Sequence, residues 1–230
     1  MAQERAIRTR KSIVVAAAEV FAEVGYEAAT VAQILLRAKV TKGALYFHFA
    51  SKEELAQAVL ADQITGMPPV PPRTLMLQRG LDEAFLLAYL LQQGDPLVRA
   101  GVRLAVEPGS PADGLDRSVP MREWVDHNVE TLAAAERNGE LMPHVDIDTA
   151  ASMFVGAFTG VQMLSKMLTN HADLVERVAQ LQQHLMSSMA VPTVFVQLDM
   201  APDRGRRVYQ ETTELNRIAD DGEGAVRAVG

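Results

Sequence analysis

Apolar residues recur every three to four positions along most of this chain, which is the spacing of one face of an α-helix. The first such stripe is formed by Ile13, Ala17, Val20, Phe21 and Val24. Gly25 follows directly and is expected to end that helix, because glycine adopts the left-handed conformation of a C-terminal cap without strain. No stretch alternates apolar and polar residues over a useful length, so the pattern predicts an all-α fold.

Short helices are predicted after the first one. Thr30, with Gln33 three residues later, has the pattern of a capping box before the next apolar stripe. Thr41 is the following N-cap candidate, after a gap of only two residues, and Ser51 opens a further helix. Two helices joined by a tight turn, the second of them very short, indicate a helix-turn-helix, whose second helix enters the major groove of DNA.

The segment MPPVPP at 67–72 contains four prolines and cannot lie inside a helix. We interpret it as the seam between a small N-terminal unit and a larger C-terminal one. Beyond it, helices are predicted at 74–93, 95–107, 118–138, 148–169, 173–189 and 203–218. The predicted division is a helix-turn-helix domain at 1–50, a connecting helix at 51–66, a larger helical domain at 67–218 and a disordered tail at 219–230.

Composition narrows the class of protein. The chain has 230 residues and no cysteine, which excludes disulfides and thiolate metal sites and fits the cytoplasm. Its charged start does not resemble a secretory signal, and its longest apolar run, at 84–91, is far shorter than the ~20 residues of a membrane helix. The net charge is −7, yet residues 1–55 hold eight Lys/Arg against six Glu. This local excess fits either a patch for a polyanion or a solvated basic surface.

The predicted second helix of the helix-turn-helix carries chemistry suited to DNA. If it begins near Thr41, Lys42 and Tyr46 share one face with Gly43 beside them. Lysine can reach a guanine edge or a phosphate, and tyrosine can donate to a phosphate. Glycine, having no side chain, lets the backbone approach closely.

The opposite side of this helix is predicted to be core. Leu45 and Phe49 point there, and Phe47 is expected to join them, since aromatic residues near a helix end are more often buried than in contact with a partner. His48 and Lys52 lie where the N-terminus of the next helix could hold a phosphate. The DNA-contacting residues predicted in this way are Thr41, Lys42, Gly43, Tyr46, His48, Lys52, Arg8 and Thr30.

The run VTKGALYFHFASKEEL at 40–55 resembles the signature of the TetR family of transcriptional regulators. In that family a Gly-x-x-Tyr-x-His/Tyr-Phe segment ends the recognition helix, and Lys-Glu-x-Leu opens the next one. Upstream, Phe21-x-x-x-Gly25-Tyr26 followed by Thr30-Val31 also fits. Together these motifs cover about 55 residues.

Further stretches resemble the γ-butyrolactone receptors of actinomycetes, among them RAGVRLAVE, ERNGELMPHVD, VGAFTGVQ and the Pro120–Trp124 segment. The resemblance implies a homodimeric repressor that leaves a pseudo-palindromic operator when it binds a γ-butyrolactone, and that controls antibiotic production or development. Relatives of this group that sense an antibiotic, a butenolide or a furan remain an alternative. In the family the last two long helices of each protomer form the dimer interface, and the residues matching it here are Phe154, Leu164, Leu174, Val178, Leu181 and Leu185.

Trp124, the single tryptophan, shares a helical face with Met121, Val125, Asn128 and Leu132. Spacing alone fits either an ordinary core tryptophan or the wall of a ligand pocket. By resemblance it matches the tryptophan that lines the pocket of butyrolactone receptors, and Pro120 matches a position tied to DNA binding.

The predicted helix at 148–169 is apolar nearly all round, so it should be buried on several sides. Gly156 and Gly160 permit close approach of a neighbouring helix. Thr159 and Gln162 share a face and either orient a ligand or face solvent. The predicted ligand-binding residues are Trp124, Phe85, Tyr89, Asn128, Thr159, Gln162 and Phe158.

No catalytic arrangement or phosphate-binding loop is evident, so neither an enzyme nor a cofactor is predicted. His144, Asp146 and Asp148 could be drawn as a metal site, but they lie where a helix cap is expected, and Asp148 is the predicted cap. The predicted partners are double-stranded operator DNA, a small hydrophobic effector and a second copy of the chain, with no membrane. The competing hypothesis is a small-molecule-binding protein or enzyme whose basic end does not read DNA. In the repressor, helix 51–65 is expected to transmit the effector signal.

Overall fold

The computed structural model describes residues 2–65, 67–106 and 113–227 and confirms the all-α prediction. The helices are α1 (Ala2–Ala28), α2 (Val31–Ala38), α3 (Lys42–His48), α4 (Lys52–Thr65), α5 (Met76–Gln93), α6 (Pro96–Val106), α7 (Ser118–Arg137), α8 (Ile147–Thr169), α9 (Leu174–Met189), α10 (Pro192–Phe195) and α11 (Arg204–Arg227). Over these described ranges, the single strand-like pairing is an isolated antiparallel bridge between Leu141 and Ala190.

The chain divides into two compact units, each built from two stretches of sequence. The first unit comprises Met1–Met67 and Gly94–Arg122, and the second comprises Pro68–Gln93 and Glu123–Gly230. The first change of unit falls in the proline-rich segment. The prediction of one continuous domain at 67–218 differs from this division, because 94–122 packs with the N-terminal helices.

Local capping explains why the short helices begin where they do. The Thr30 hydroxyl accepts a hydrogen bond from Gln33 N, and the Gln33 side chain accepts one from Thr30 N, which completes the predicted capping box. Thr41 caps α3 in the predicted position by accepting from Ala44 N. Asp146, not Asp148, caps α8, because its carboxylate accepts from Thr149 N at 2.9 Å.

The first unit has one apolar core, formed by buried residues of the N-terminal helices together with buried residues of α6. Ile13 and Phe21 of α1, together with Leu55 of α4, are completely buried in it. Ala100 and Leu104 of α6 belong to the same cluster, and Arg103 Nη1 donates to Ala22 O at 2.8 Å. α6, about 80 residues further along the chain, therefore packs against α1 and stabilises the helix-turn-helix.

In the second unit, α5 packs against both α9 and α11. The buried carboxylate of Asp82 on α5 accepts from Arg204 at the start of α11, with an Nη2–Oδ2 distance of 2.6 Å. Gly205 lies so close to α5 that an added Cβ would stand 2.2 Å from Phe85 O. The backbone of α11 is helical to Arg227, which differs from the disordered tail predicted from 219 onward; residues 228–230 lie outside the described range.

No helix in the described part of the chain combines the length and hydropathy required to cross a membrane.

Candidate DNA-binding face and effector-binding residues

The helix-turn-helix is held in shape by its two turns. Gly25 near the end of α1 has φ 80°, as expected for a residue that interrupts a helix. Lys39, in the left-handed region with φ 55°, ends α2 by donating its backbone N–H to Leu35 O. Thr41 then restarts the chain as α3, so the two helices are separated by three residues.

The inner side of α3 and its C-cap confirm two of the three residues predicted to be core. Leu45 and Phe49 are 1% and 2% exposed and belong to the apolar cluster of the first unit. Phe47, predicted to join them, is 79% exposed, so that prediction is wrong. At about 100° per residue, a side chain two positions after Leu45 lies on the opposite side of the helix.

The outer side of α3 presents a cation, an aromatic ring and a bare stretch of backbone. The Lys42 Nζ lies 5.7 Å from the centre of the Tyr46 ring, and both side chains are exposed. A Cβ added at Gly43 would meet nothing within 4 Å. His48 is half-buried and stands edge-on to Phe47, with ring centres 5.0 Å apart. Such a surface suits contacts with phosphates and with base edges in a groove.

Lys52 does not join this surface. Its Nζ donates to Tyr26 O at 2.9 Å and to Ala29 O at 3.1 Å, and it lies 4.2 Å from the centre of the Tyr26 ring. Its charge is therefore used to bind α4 to the junction between α1 and α2. The predicted phosphate contact is replaced by this structural role.

Two further residues predicted to contact DNA lie outside α3. Arg8 is exposed on α1, as a phosphate contact requires. Thr30 is exposed, and its hydroxyl is part of the capping box. Arg37 is paired with Glu19 and Glu23, at 3.0 Å each, and its hydrogen bond lowers the pKa of Glu23. Part of the positive charge counted in residues 1–55 is thus neutralised on the surface of α1 and α2.

The predicted effector-binding residues are distributed over three helices of the second unit. Trp124 and Asn128 are half-buried on α7, and Asn128 Nδ2 donates to Trp124 O at 2.8 Å. α7 is adjacent to α5, because His127 Nε2 lies 2.7 Å from Glu83 Oε2, a contact that raises the pKa of His127. α7, which carries Trp124, therefore contacts through His127 the helix that carries two more predicted ligand residues.

Those two residues, on α5, have different surroundings. Phe85 is fully buried beside Gly205 of α11. Tyr89 is half-buried and its ring centre lies 5.6 Å from that of Tyr209, so its ring is directed toward α11. This contact with the C-terminal helix could not be predicted from local spacing, because α11 lies more than 100 residues away in the chain.

On α8, burial separates alternatives that spacing left open. Gln162 is 4% exposed, so it does not face solvent, and Phe158 is buried as predicted. Thr159 is half-buried. Sequence analysis missed Gln182 on α9, which is fully buried and whose amide nitrogen and oxygen have no hydrogen-bond partner among the described residues. The signal was available: it is an amide four residues after Val178, within an apolar stripe.

The predicted dimer residues fall into two groups. Leu174 and Val178 are completely buried within the protomer, so their assignment to a dimer interface is wrong. Leu164 is exposed, while Phe154, Leu181 and Leu185 are half-buried. The exposed side of α8 also includes residues that the prediction omitted, namely Met153, Gly156, Gly160, Met163 and Met167.

Comparison with known proteins agrees with this architecture. The family model for bacterial regulatory proteins of the tetR family matches residues 13–59, and the tetracyclin repressor-like C-terminal domain matches residues 80–192. The A-factor receptor protein of Streptomyces griseus is 38% identical over 232 residues, covering 97% of this chain and 80% of that protein.

Two solved structures are similar over almost their whole length. TylP, a TetR regulator from Streptomyces fradiae, has a TM-score of 0.86 and 58% identity, covering 90% of this chain and 99% of its own. An ArpA-like γ-butyrolactone receptor has a TM-score of 0.64 and 31% identity, covering 90% of this chain and 98% of its own.

A short exposed helix on a compact three-helix support, followed by a larger helical unit, defines a helix-turn-helix transcriptional regulator. The chain belongs to the TetR family of bacterial regulatory proteins, and it is homologous to γ-butyrolactone receptors and to TylP.

Proposed function

We propose that this protein is a homodimeric repressor that binds a pseudo-palindromic operator and is released from it by a small effector of the γ-butyrolactone type. The observation that carries this proposal is the outward side of α3, where Lys42, Gly43 and Tyr46 are exposed together. The regulated genes, by analogy with the resemblance noted above, serve antibiotic production or development. The protein acts on DNA in the cytoplasm and catalyses no reaction.

In this proposal α3 reads the operator from the major groove. Lys42 bonds a guanine edge or a phosphate, and Tyr46 donates to a phosphate. Gly43 lets the helix approach the DNA, since no side chain stands between its backbone and a groove wall. Phe47, exposed on the same short helix, supplies an apolar surface for a thymine methyl group. Thr41, His48, Thr30 and Arg8 complete the surface as phosphate contacts.

The exposed side of α8 is proposed as the main interface with a second copy. Met153, Met163, Leu164 and Met167 form an apolar stripe along it, and Met167 is 79% exposed. Gly156 and Gly160 lie in the same stripe with open space where a Cβ would stand, which allows a facing helix to approach closely. A stripe of this kind pairs with its own copy across a two-fold axis. Such a dimer presents two α3 helices to half-sites about 34–36 Å apart.

The effector class follows from the relatives. An apolar pocket with a few polar groups is the usual site for a small hydrophobic ligand. Trp124, Phe158 and Gln162 offer that combination in the second unit, and an ArpA-like γ-butyrolactone receptor is similar in structure. An antibiotic, a butenolide or a furan is the second candidate, because the chain is more similar to TylP, a TetR regulator, at 58% identity, than to the ArpA-like γ-butyrolactone receptor, at 31%.

The proposal is tested by selecting a duplex from a random pool with the wild-type protein and measuring the affinities of variants for it. Lys42→Ala is expected to weaken binding about tenfold or more, and Tyr46→Phe less, because each removes contacts worth roughly 1–3 kcal/mol. Arg137→Ala, which removes the same charge from an exposed site on α7, is the control and should bind like the wild type.

Two results would contradict the proposal. If no duplex is selected, the basic helical end does not read DNA, and the alternative of a small-molecule-binding protein or enzyme gains support. If a duplex is selected but both α3 variants bind it as the wild type does, α3 is not the recognition helix.

A further inference from the structure

Residues 113–117, immediately before α7, are fastened to the helix-turn-helix within the first unit. Asp113 is buried, and the Tyr26 hydroxyl donates to its carbonyl oxygen at 3.3 Å. Burial, together with nearby carboxylates, raises the pKa of Tyr26 to about 12, so this hydroxyl remains a donor at physiological pH. The contact joins positions 87 residues apart in the chain.

The Asp113 side chain closes this segment on itself. Its carboxylate accepts from Arg117 Nη2 at 2.6 Å and Nη1 at 3.1 Å, and from Leu115 N at 2.9 Å. Leu115 and, one turn into α7, Met121 pack against the apolar core of the first unit. The segment is therefore held by polar bonds on one side and by the core on the other.

Tyr26 connects the same segment to three helices. Its ring contacts Phe21 of α1, with centres 5.8 Å apart, and lies under the Lys52 ammonium group. Lys52, the first residue of α4, also donates to the carbonyls of Tyr26 and Ala29, and Ala29 precedes the N-cap of α2. A displacement of Asp113 would therefore change contacts at the end of α1, before α2 and at the start of α4.

The helix that follows leads directly to Trp124. Asp116 accepts from Ser118 N at 2.9 Å and starts α7. Residues 118–122 of α7 belong to the first unit, whereas 123–137, which include Trp124, belong to the second. We infer that residues 113–117 form a latch through which α7 transmits effector binding to the DNA-binding helices. This inference rests on the proposed function. It differs from the expectation that helix 51–65 transmits the effector signal, because the signal here enters the first unit through α7.

Coupling of this kind is reciprocal, so it can be tested without knowing the effector. Binding of the selected duplex at α3 should change the environment of Trp124, the single tryptophan, through the latch. The measurement is the acrylamide quenching constant of Trp124 with and without saturating duplex, alongside duplex affinity from fluorescence anisotropy. We expect the wild type to show a change, and Tyr26→Phe and Arg117→Ala to show less than about half of it, because the response passes through the bonds they remove.

Matched controls separate the latch from general destabilisation. Arg137→Ala removes an exposed arginine at the far end of the same helix, outside the latch, and should respond as the wild type does. Gly114 has φ 75° and an added Cβ would lie 2.9 Å from Glu53 Oε1, so Gly114→Ala should disturb the latch without removing a polar group. Gly139→Ala, at φ 71° in open space, carries a similar backbone strain outside the latch and should leave the response intact.

The outcomes are distinguishable. Failure to select any duplex overturns the proposed function itself. If a duplex binds and the wild-type Trp124 response is absent, or if the three latch variants respond as fully as Arg137→Ala and Gly139→Ala, the latch is overturned while the repressor proposal stands.

Discussion

Phe47 in α3 and Phe49, its C-cap, are two residues apart and have opposite surroundings, the first 79% and the second 2% exposed. A buried phenylalanine stabilises the small domain by excluding water and filling space. An exposed one contributes little to stability, and in the proposed function Phe47 instead contacts DNA from the outer side of α3. Phe49 is therefore expected to matter for folding, and Phe47 for binding.

This contrast gives a prediction for a pair of alanine variants. Phe49→Ala should lower the free energy of unfolding by about 3–5 kcal/mol, as expected for a buried phenylalanine. Phe47→Ala should change it by less than about 1 kcal/mol and should instead weaken duplex binding several-fold. Urea unfolding and anisotropy titrations measure the two effects. Equal losses of stability would show that the exposed position of Phe47 does not hold in solution.

Lys52 was predicted to bind a phosphate, but its Nζ donates to backbone carbonyls of the same chain. A lysine at the start of α4 is well placed for a phosphate, and spacing alone offered no competing partner. Only the folded chain brings the Tyr26 and Ala29 carbonyls within 3.1 Å of its Nζ. The prediction failed because those acceptors lie more than 20 residues away in sequence.

At the scale of the element, α8 and α9 each carry apolar residues on more than one side. The apolar side of α9 is used within the protomer, where Leu174 and Val178 are completely buried. α8 buries Phe158 and Gln162 on one side and leaves Met163 and Met167 exposed on another. A helix that is apolar in two directions has more than one surface to cover, and the second surface of α8 is available for another copy of the chain.

The interface is tested by placing charge on that surface. Met163→Glu with Met167→Glu should yield a folded monomer that binds the selected duplex at least tenfold more weakly, because two half-sites can no longer be bound together. Analytical ultracentrifugation gives the mass and circular dichroism the helical content. Gln210→Glu with Thr213→Glu, on the exposed side of α11, is the control and should remain dimeric. A dimeric double variant of α8 would place the interface elsewhere.

For the whole molecule, regulation requires that the second unit alters the first. A ligand shifts a conformational equilibrium only by its difference in affinity for the two states, and a change from about 99:1 to 1:99 needs roughly 5.5 kcal/mol. The chain passes from one unit to the other at three places: after α4 in the proline-rich segment, between α5 and α6, and within α7, which contains Trp124. The 113–117 latch assigns the signal to α7.

Trp124 provides the corresponding test of effector response. In a panel that contains a γ-butyrolactone, a butenolide, a furan and an antibiotic, the compound that releases the duplex from the wild type should fail to release it from Trp124→Ala. Trp124→Phe should retain part of the response. At about 100 times its Kd, the compound should stabilise the wild type by roughly 2.7 kcal/mol, seen as a higher unfolding temperature. Full release from Trp124→Ala would remove this residue from the effector site.

The sequence by itself determined the features that depend on neighbours within one helical turn. The caps at Thr30 and Thr41, the turn between α2 and α3, and the division of α3 between Leu45 and Lys42 follow from contacts three or four residues apart. For the same reason most helix boundaries were predicted to within two residues.

Only the tertiary structure decided which surfaces meet. It placed 94–122 with the N-terminal helices, directed Lys52 to two backbone carbonyls and turned Leu174 inward. It also brought Asp113 to Tyr26 across 87 residues. Periodicity reports that a helix has an apolar side, but the element that covers that side is chosen by packing among distant segments, which local spacing does not encode.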